Sequence, residues 1–298
     1  MVGNSSRNRI KGGEIVDWKF SLHDDQSDLV IGYCKDIVGL DGQIYSDADI
    51  SYHQIELIQF AFCNNFKEHL LKSKESINRL VYICTIDKDK NPIGKYSFFI
   101  FDNLYYHKVG FPENPTNIIF KGSLDDVLSN KELEIWNEWR ISCPLNKNHW
   151  ANFNEEERRA WLKVVTKYND NRTDYYELKE KVFYLDGTYV TDYPAFFCAI
   201  GEAVNGPGGY YGFDINSLID CLQGGFGATS PYTLVWKNYK IAERFLDIES
   251  WLREIRYKRE LSNKLLNKPE FEELGDRPLF QVLVEILKNE DVTIVFEK

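Results

Sequence analysis

The sequence predicts an α+β domain with a mostly antiparallel sheet, followed by an α/β domain with a small parallel sheet packed with helices. In the first 170 residues, β-type runs follow one another in hairpin-like pairs. After residue 175, short apolar strands are separated by helical segments, which requires right-handed crossovers between parallel strands. The polar run 166–174 separates the two patterns. We therefore expect a disordered tail at 1–13, one domain at 14–170 and another at 175–298.

The first domain begins with a hairpin and ends with two helices. Its predicted elements are a hairpin over 18–34, an amphipathic helix over 52–72, paired strands over 79–86 and 94–101, a strand at 117–120, and helices over 123–139 and 155–168. The helix over 52–72 depends on apolar residues that recur at helical spacing, namely Ile55, Ile58, Phe62, Phe66 and Leu70. The last helix has a capping box, with Asn154 as the N-cap and Glu157 three residues later.

No chemistry is predicted for residues 14–170. The segment 87–94 opens like a calcium loop, but Pro92 stands where the turn glycine is required and Phe98 where the bidentate glutamate is required. A hairpin turn is the better interpretation. The five histidines all lie in this half, and no two have the i, i+4 spacing of a helical metal pair. A metal site is therefore not predicted.

Composition and charge limit the classes of function. With 43% hydrophobic residues and no apolar run of about 18 residues, the chain reads as a soluble globular protein without a membrane span. Its N-terminus lacks the apolar core of a signal peptide, so we expect a cytoplasmic protein. The six cysteines have no C-x-x-C spacing, which argues against a zinc cluster or a redox pair. A net charge of -10 argues against direct nucleic-acid binding and favours a basic partner.

The second domain alternates strands and helices around a glycine-rich stretch at 205–236. The predicted elements are a strand at 182–185, a helix over 192–204 capped by Asp192, a helix over 214–222, a strand at 233–236, helices over 237–246, 247–268 and 279–289, and a final strand at 291–296. Residues 182–236 contain no Lys or Arg, but they contain five acids: Asp186, Asp192, Glu202, Asp214 and Asp220. A field of one sign attracts cationic partners. The alternative is a solvated acidic face without a partner.

Two of these aspartates lie on the short helix over 214–222. Asp214 is placed to cap it, which is a structural role. Asp220 lies in the last turn, where the helix dipole disfavours an anion, and its i-4 and i+4 neighbours carry no charge. If the apolar residues of this helix face the core, Asn216, Asp220 and Gln223 share the exposed face. Asp220 is therefore the functional candidate.

Other chemistries fit this stretch poorly. The loop 206–209 lacks a P-loop or dinucleotide-binding pattern and has no lysine nearby, so we do not expect phosphate to bind there. The second domain contains no histidine, which excludes Ser-His, Cys-His and His-containing metal mechanisms within it. Catalysis by carboxylates alone stays open, although nothing positions a second acid against Asp220. The sequence therefore predicts a protein-binding surface, with no catalytic residue, metal or cofactor assigned.

These residues also resemble a known family, the barstar inhibitors of the ribonuclease barnase. The resemblance lies in Tyr210-Tyr211-Gly212, Leu218, Asp220-Cys221-Leu222 and Gly224, then in the strand ending at Trp236 and in the segments 279–282 and 291–294. It covers about 181–298 without 247–268, which is predicted to be a helical insertion. It implies a three-stranded parallel sheet packed with helices, and a second helix that, with its preceding loop, occupies the ribonuclease active site.

The resemblance also implies roles for individual residues. Asp220 matches the aspartate that occupies the phosphate site of the ribonuclease, where it pairs with arginines and the catalytic histidine. Further partner-binding positions carried over are Tyr210, Gly212, Phe226 and Glu285. Asn216 stands where the family has a second interface aspartate, and Ile219 replaces an aromatic residue, so the target is expected to differ from barnase.

The resulting hypothesis is a cytoplasmic immunity or inhibitor protein of a basic ribonuclease, not an enzyme. The alternative is an adaptor in which the barstar-like domain binds a non-nuclease protein and the N-terminal domain supplies a second contact. A third possibility is an enzymatic N-terminal domain, which a pocket with converging His107, His149 or Asp side chains would support.

Overall fold

The structure, a computed structural model, describes residues 17–47, 50–77, 79–170, 181–265 and 277–298. The predicted tail at 1–13 lies outside these residues. Contacts between residues divide the chain into two units, Met1–Leu128 and Ser129–Lys298. We consider each unit by itself.

The first unit is built on antiparallel strands that close into a barrel. Its elements are β1 (Phe20–Asp24), β2 (Val30–Cys34), β3 (Asp36–Val38), β4 (Ile44–Asp47), β5 (Ile50–Phe62), α1 (Asn64–Ser73), β6 (Leu80–Ile86), β7 (Pro92–Ile100), α2 (Tyr106–Val109) and β8 (Thr116–Leu124). The sheet runs β2-β1-β6-β7-β8-β5, and β5 pairs back to β2. The short strands β3 and β4 also pair with β5. The predicted hairpins β1–β2 and β6–β7 and the mostly antiparallel sheet are confirmed.

The predicted helix over 52–72 is wrong, because its first half is strand β5 and only 64–73 is helical. Ile55 and Leu57 face the core at strand spacing, and after them the inward-facing residues are Phe60 and Phe62. The pairing of β5 with β8 shifts between Leu57 and Phe60, where Gln59 has a positive φ of 52°. This bulge changes the face that points inward, and the resulting mixed spacing resembles a helical period.

The predicted helix over 123–139 begins too early. Residues up to Leu124 belong to β8, and helix α3 (Asn130–Trp139) begins after the N-cap Ser129. The Ser129 hydroxyl accepts a hydrogen bond from the Glu132 amide at 3.2 Å, which fixes the helix start. The next helix, α4 (Glu155–Asp170), is confirmed together with its capping box. There the Glu157 amide donates to Asn154 Oδ1, and the Asn154 amide donates to Glu157 Oε2.

The remaining elements form the predicted α/β arrangement. They are β9 (Val182–Asp186), α5 (Tyr193–Asn205), α6 (Ile215–Leu222), β10 (Tyr232–Lys237), α7 (Tyr239–Phe245), α8 (Ile248–Leu265), α9 (Leu279–Asn289) and β11 (Val292–Phe296). The three strands are parallel in the order β11-β10-β9, with Val235 of β10 opposite Tyr184 and Val295. One face of the sheet buries Phe183, Leu185, Leu234 and Trp236. The three-stranded parallel sheet with helices is therefore confirmed.

Helices α3 and α4 group with the second unit, whereas the predicted boundary lay at 170–175. Arg158 on α4 forms a buried ion pair with Asp192, the N-cap of α5. Arg159 contacts the carboxylate of Glu254 on α8 at 2.6 Å, and that carboxylate is almost fully buried. Charged groups buried against one another must be paired, so α4 is tied to α5 and α8.

Two further features bear on function. Within the part of the chain that the structure describes, no helix has the length and apolar character to cross a membrane. The six cysteines are free, and Cys34, Cys84, Cys198 and Cys221 are buried. Burial raises the pKa of the Cys84 thiol to about 12, so it stays protonated and unreactive near neutral pH.

Candidate partner-binding surface

The candidate surface consists of the loop 206–213, helix α6 and the glycine-rich turn 223–227. Helix α5 leads into the loop, and its last residue, Asn205, joins the two glycine-rich segments. The Asn205 side-chain amide donates to the carbonyl oxygens of Tyr210, at 2.5 Å, and Phe226, at 2.9 Å. The rings of Tyr210 and Phe226 lie 5.7 Å apart between centroids. One side chain therefore holds both loops beside α6.

Glu202 anchors the loop from beneath. Its side chain is 2% exposed, and its two oxygens accept backbone hydrogen bonds from Asn148, at 2.7 Å, and Gly208, at 3.2 Å. Burial raises the pKa of this carboxyl group, and the two amide donors oppose that rise. Glu202 therefore fixes the shape of the loop instead of presenting charge to a partner.

Two glycines in this region are required by close approach. Gly212 has a φ of 87°, and a Cβ there would lie 2.8 Å from the backbone nitrogen of Leu218. At Gly227, with a φ of 105°, a Cβ would lie 2.2 Å from Asn205 Oδ1. Only glycine fits both the conformation and the space. Gly212 thus lets the loop lie directly on α6.

Helix α6 has a firmly built N-terminus. Asp214 Oδ1 accepts from the Ser217 amide at 2.9 Å, and the Ser217 hydroxyl accepts from the Asp214 amide at 2.9 Å. Lys258 on α8 lies 3.3 Å from the other Asp214 oxygen, and the Tyr193 hydroxyl accepts from the Ile215 amide. The predicted capping role of Asp214 is confirmed, and its charge is already paired within the chain.

The face of α6 is arranged as the helical spacing predicts. Ile215, Leu218, Cys221 and Leu222 are buried. Asn216, Asp220 and Gln223 are exposed. Burial, followed by the charge of the neighbouring Asp220, raises the pKa of the Cys221 thiol to about 12. Because Asn216, Asp220 and Gln223 face solvent, their polar side chains are available to a partner.

Three of the five acids of residues 182–236 are buried or ion-paired within the unit and present little charge to a partner. Asp192 pairs with Arg158, and Glu202 is buried beneath the loop. Asp214 pairs with Lys258. Asp186 is exposed, and its Oδ1 accepts hydrogen bonds from Thr188 and Asn238. Asp220 is exposed and, among the described residues, has neither an ion pair nor a hydrogen-bond partner for its carboxylate. The negative charge of this surface is concentrated on Asp220.

The other predicted contact residues have different surroundings. Tyr210 and Gly212 are mostly buried, whereas Ile219 and Phe226 are partly exposed. These four residues belong to the same loop, helix and turn as Asn216, Asp220 and Gln223. Glu285 lies on α9, where its carboxylate forms an ion pair with Arg277. It is thus already engaged within the chain, unlike Asp220.

Sequence reasoning missed Phe213, whose side chain is 46% exposed. It precedes the N-cap Asp214 and lies three residues before Asn216, at the junction of the loop and α6. Its position between a required glycine and a capping residue is the sequence signal that could have indicated it.

The same unit contains a cleft of about 300 Å³ beside β9 and β10. It is lined by Lys147, Asn148, Tyr184, Asp186, Ala199, Glu202, Ala203, Lys237 and Asn238. These lining residues include neither a histidine nor a cysteine, and their charged groups are Lys147, Asp186, Glu202 and Lys237. In the described residues, no three His, Cys, Asp or Glu side chains are placed to hold a metal ion.

Comparison with known proteins agrees with this geometry. Residues 180–265 match the family model described as Barstar (barnase inhibitor), and the matched segment contains the loop, α6 and β10. Searches of curated proteins and of solved structures gave no match. The match and the three-stranded parallel sheet concern the same part of the chain. Residues 180–265 are therefore similar in sequence to the barstar family, and this stretch contains two of the three parallel strands.

Proposed function

We propose that this protein inhibits a basic ribonuclease by covering the enzyme's active site with α6 and the loop 206–213. The observation that carries the proposal is Asp220, an exposed carboxylate without a partner among the described residues, on a helix whose other acid is neutralised. Such a carboxylate can enter a site built for the phosphate of RNA. There it accepts charge-assisted hydrogen bonds from arginine and histidine side chains.

The surroundings of Asp220 support a preorganised contact. The capping box and Tyr193 fix the start of α6, while Asn205 and Glu202 fix the adjoining loops. Little conformational entropy is then lost on binding, which favours high affinity. In the free protein, the dipole of α6 and the charge of Asp220 oppose one another, and a cationic active site relieves this conflict.

Asn216 and Ile219 are proposed to select the target. Asn216 is exposed one turn before Asp220, and its amide offers donors as well as an acceptor. A guanidinium opposite this position gains less than it would from a carboxylate. We therefore propose a target with fewer cations at this subsite than barnase, for example a ribonuclease toxin of the same or a competing cell, met in the cytoplasm.

The test is an inhibition assay with a matched control. Purified protein is titrated into barnase and into other small basic ribonucleases, and RNA cleavage is followed. We expect equimolar inhibition of at least one enzyme, and Asp220→Ala to weaken it about 100-fold or more, because truncating a charged contact at the centre of an interface leaves cations buried and unpaired. Glu297→Ala removes an exposed acid from the same unit and should change nothing. Equal inhibition by wild type and Asp220→Ala would exclude the proposed mechanism.

One observation favours the alternative, an adaptor with a second contact surface on the first unit. Phe99 and Phe101 on the outer side of the barrel are 42% and 38% exposed, with ring centroids 6.1 Å apart, and Ile119 of the neighbouring strand β8 is exposed as well. Exposed apolar patches often mark protein-binding sites. Pulldown with wild type, Asp220→Ala and Phe99→Ser/Phe101→Ser separates the two functions. Non-nuclease partners lost only in the phenylalanine variant would favour the adaptor.

A further inference from the structure

A single exposed aromatic ring stands at one end of the candidate surface. Phe213 is 46% exposed, and no ring of the described residues stacks against it. Phe213 precedes the N-cap, and Leu218 is the fourth residue of α6. Residues at these two positions can form a hydrophobic staple. Leu218 is fully buried, however, while about half of Phe213 remains in contact with solvent. Such a staple would involve only the buried part of the ring and leaves the exposed part without a role in the fold.

The backbone that carries Phe213 is rigid. Its amide donates to the Ser217 hydroxyl at 2.9 Å, within the same network that caps α6. Gly212, immediately before it, is packed against the backbone of Leu218. An exposed aromatic side chain on a fixed backbone is typical of the anchors that contribute most to protein–protein binding.

Phe213 and Asp220 form a pair with a defined separation. Phe213 lies two residues before α6 begins at Ile215, and from Ile215 to Asp220 the helix axis rises about 7.5 Å, at about 1.5 Å per residue. Asn216 lies between them on the exposed side. The surface thus presents an apolar ring before the start of α6, followed along the chain by a polar side chain and an anion.

A nucleotide presents the same three chemical parts, which are base, sugar and phosphate. The active site of a ribonuclease must bind a base next to the phosphate that it cleaves, and bases are commonly held by stacking on aromatic or apolar side chains. We propose that Phe213 enters the base-binding subsite of the target ribonuclease while Asp220 occupies the phosphate site. This inference rests on the proposed function and assigns a second subsite to it.

Competition with a nucleoside tests the inference. Binding to an inhibited ribonuclease is measured with and without the free nucleoside that matches the enzyme's cleavage preference, which has a base but no phosphate. We expect Phe213→Ala to weaken binding about 10- to 100-fold, as truncation of an aromatic anchor does. The nucleoside should weaken wild-type binding and leave the binding of Phe213→Ala unchanged, because the variant no longer competes for the base subsite.

Controls separate this result from a loss of folding. Phe213→Tyr keeps the ring and should bind like wild type. Phe245→Ala removes a comparably exposed ring, at 42%, from the end of α7 and should bind normally. Thermal unfolding of each variant checks that the unit is intact.

The outcomes also distinguish the two proposals. If Phe213→Ala binds like wild type while Asp220→Ala does not, the base-subsite inference is overturned and the proposed function stands. If the nucleoside weakens wild type and Phe213→Ala equally, the inference is likewise overturned. If wild type binds none of the ribonucleases, both proposals fail.

Discussion

Asp214 and Asp220 show how the surroundings of a residue decide its role. Both are aspartates on one helix, six residues apart. Asp214 accepts from the Ser217 amide and pairs with Lys258, so its charge stabilises the fold. Asp220 lies one turn beyond Asn216 on the open face, where the described residues offer it no partner. Its charge is solvated in the free protein and stays open to a partner protein.

Replacement of Gly212 should distort the loop. In Gly212→Ala, the positive φ of 87° and the 2.8 Å approach of the new Cβ to the Leu218 nitrogen both oppose the native loop. We expect a loss of about 1–3 kcal/mol in the free energy of unfolding. Gly206→Ala is the matched control, because its φ is 79° but nothing lies within 4 Å of the added Cβ. Denaturant unfolding should show a smaller loss for the control. Equal losses of stability in the two variants would mean that the close approach of residue 212 to α6 has no effect on the free energy of unfolding.

The buried Glu202 should make stability depend on pH. Burial raises its pKa in the folded state above the ordinary value of 4.5. The folded state therefore favours the protonated form, and the stabilisation from this group is present below pH 4.5 and declines as pH rises through the folded-state pKa. We expect the stability of wild type relative to Glu202→Gln to fall as pH increases from 4.5. Denaturant unfolding at a series of pH values measures this difference, and a difference that rises with pH would contradict the assignment.

Part of the site could be predicted because it depends on local spacing. The exposed face with Asn216, Asp220 and Gln223 follows from the helical period alone. Burial of Glu202 and Asp192 could not be predicted in this way. Their partners, Asn148 and Arg158, lie 54 and 34 residues away in the sequence. The sequence pattern therefore overstated how many of these acids are open to a partner.

At the scale of elements, local spacing was sufficient for hairpins, caps and the alternating β/α segment. It failed at β5, where the bulge at Gln59 mixed the strand period with a helical one. It also could not indicate that α4 groups with the second unit. Arg159 contacts Glu254 across 95 residues of sequence, and no local pattern reports such a pair.

The link between α4 and α8 can be tested at this buried pair. Arg159→Leu leaves the Glu254 carboxylate, 2% exposed, without its cation. We expect a loss of about 3 kcal/mol or more in the free energy of unfolding of the second unit, since a buried charge is left uncompensated. Arg256→Leu breaks an exposed pair with Glu249 and should cost less than about 1 kcal/mol. Thermal or denaturant unfolding compares them. Similar small losses would mean that α4 is not energetically coupled to α8.

For the whole molecule, the candidate surface lies entirely within the second unit, between residues 205 and 227. The barrel of the first unit supplies none of the predicted contact residues. Inhibition of a ribonuclease therefore depends, in our proposal, on the barstar-like part alone. The exposed rings of Phe99 and Phe101 leave the barrel a contact surface of its own.

Competition with inorganic phosphate tests the central claim most directly. Phosphate occupies the ribonuclease site that Asp220 is proposed to fill. We predict that phosphate weakens the binding of wild-type protein to its target ribonuclease and has little effect on the weaker binding of Asp220→Ala or Asp220→Asn, because these variants place no anion in that site. Glu297→Ala should respond to phosphate as wild type does. If phosphate weakens wild type and Asp220→Ala by the same factor, Asp220 does not occupy the phosphate site and the account is wrong.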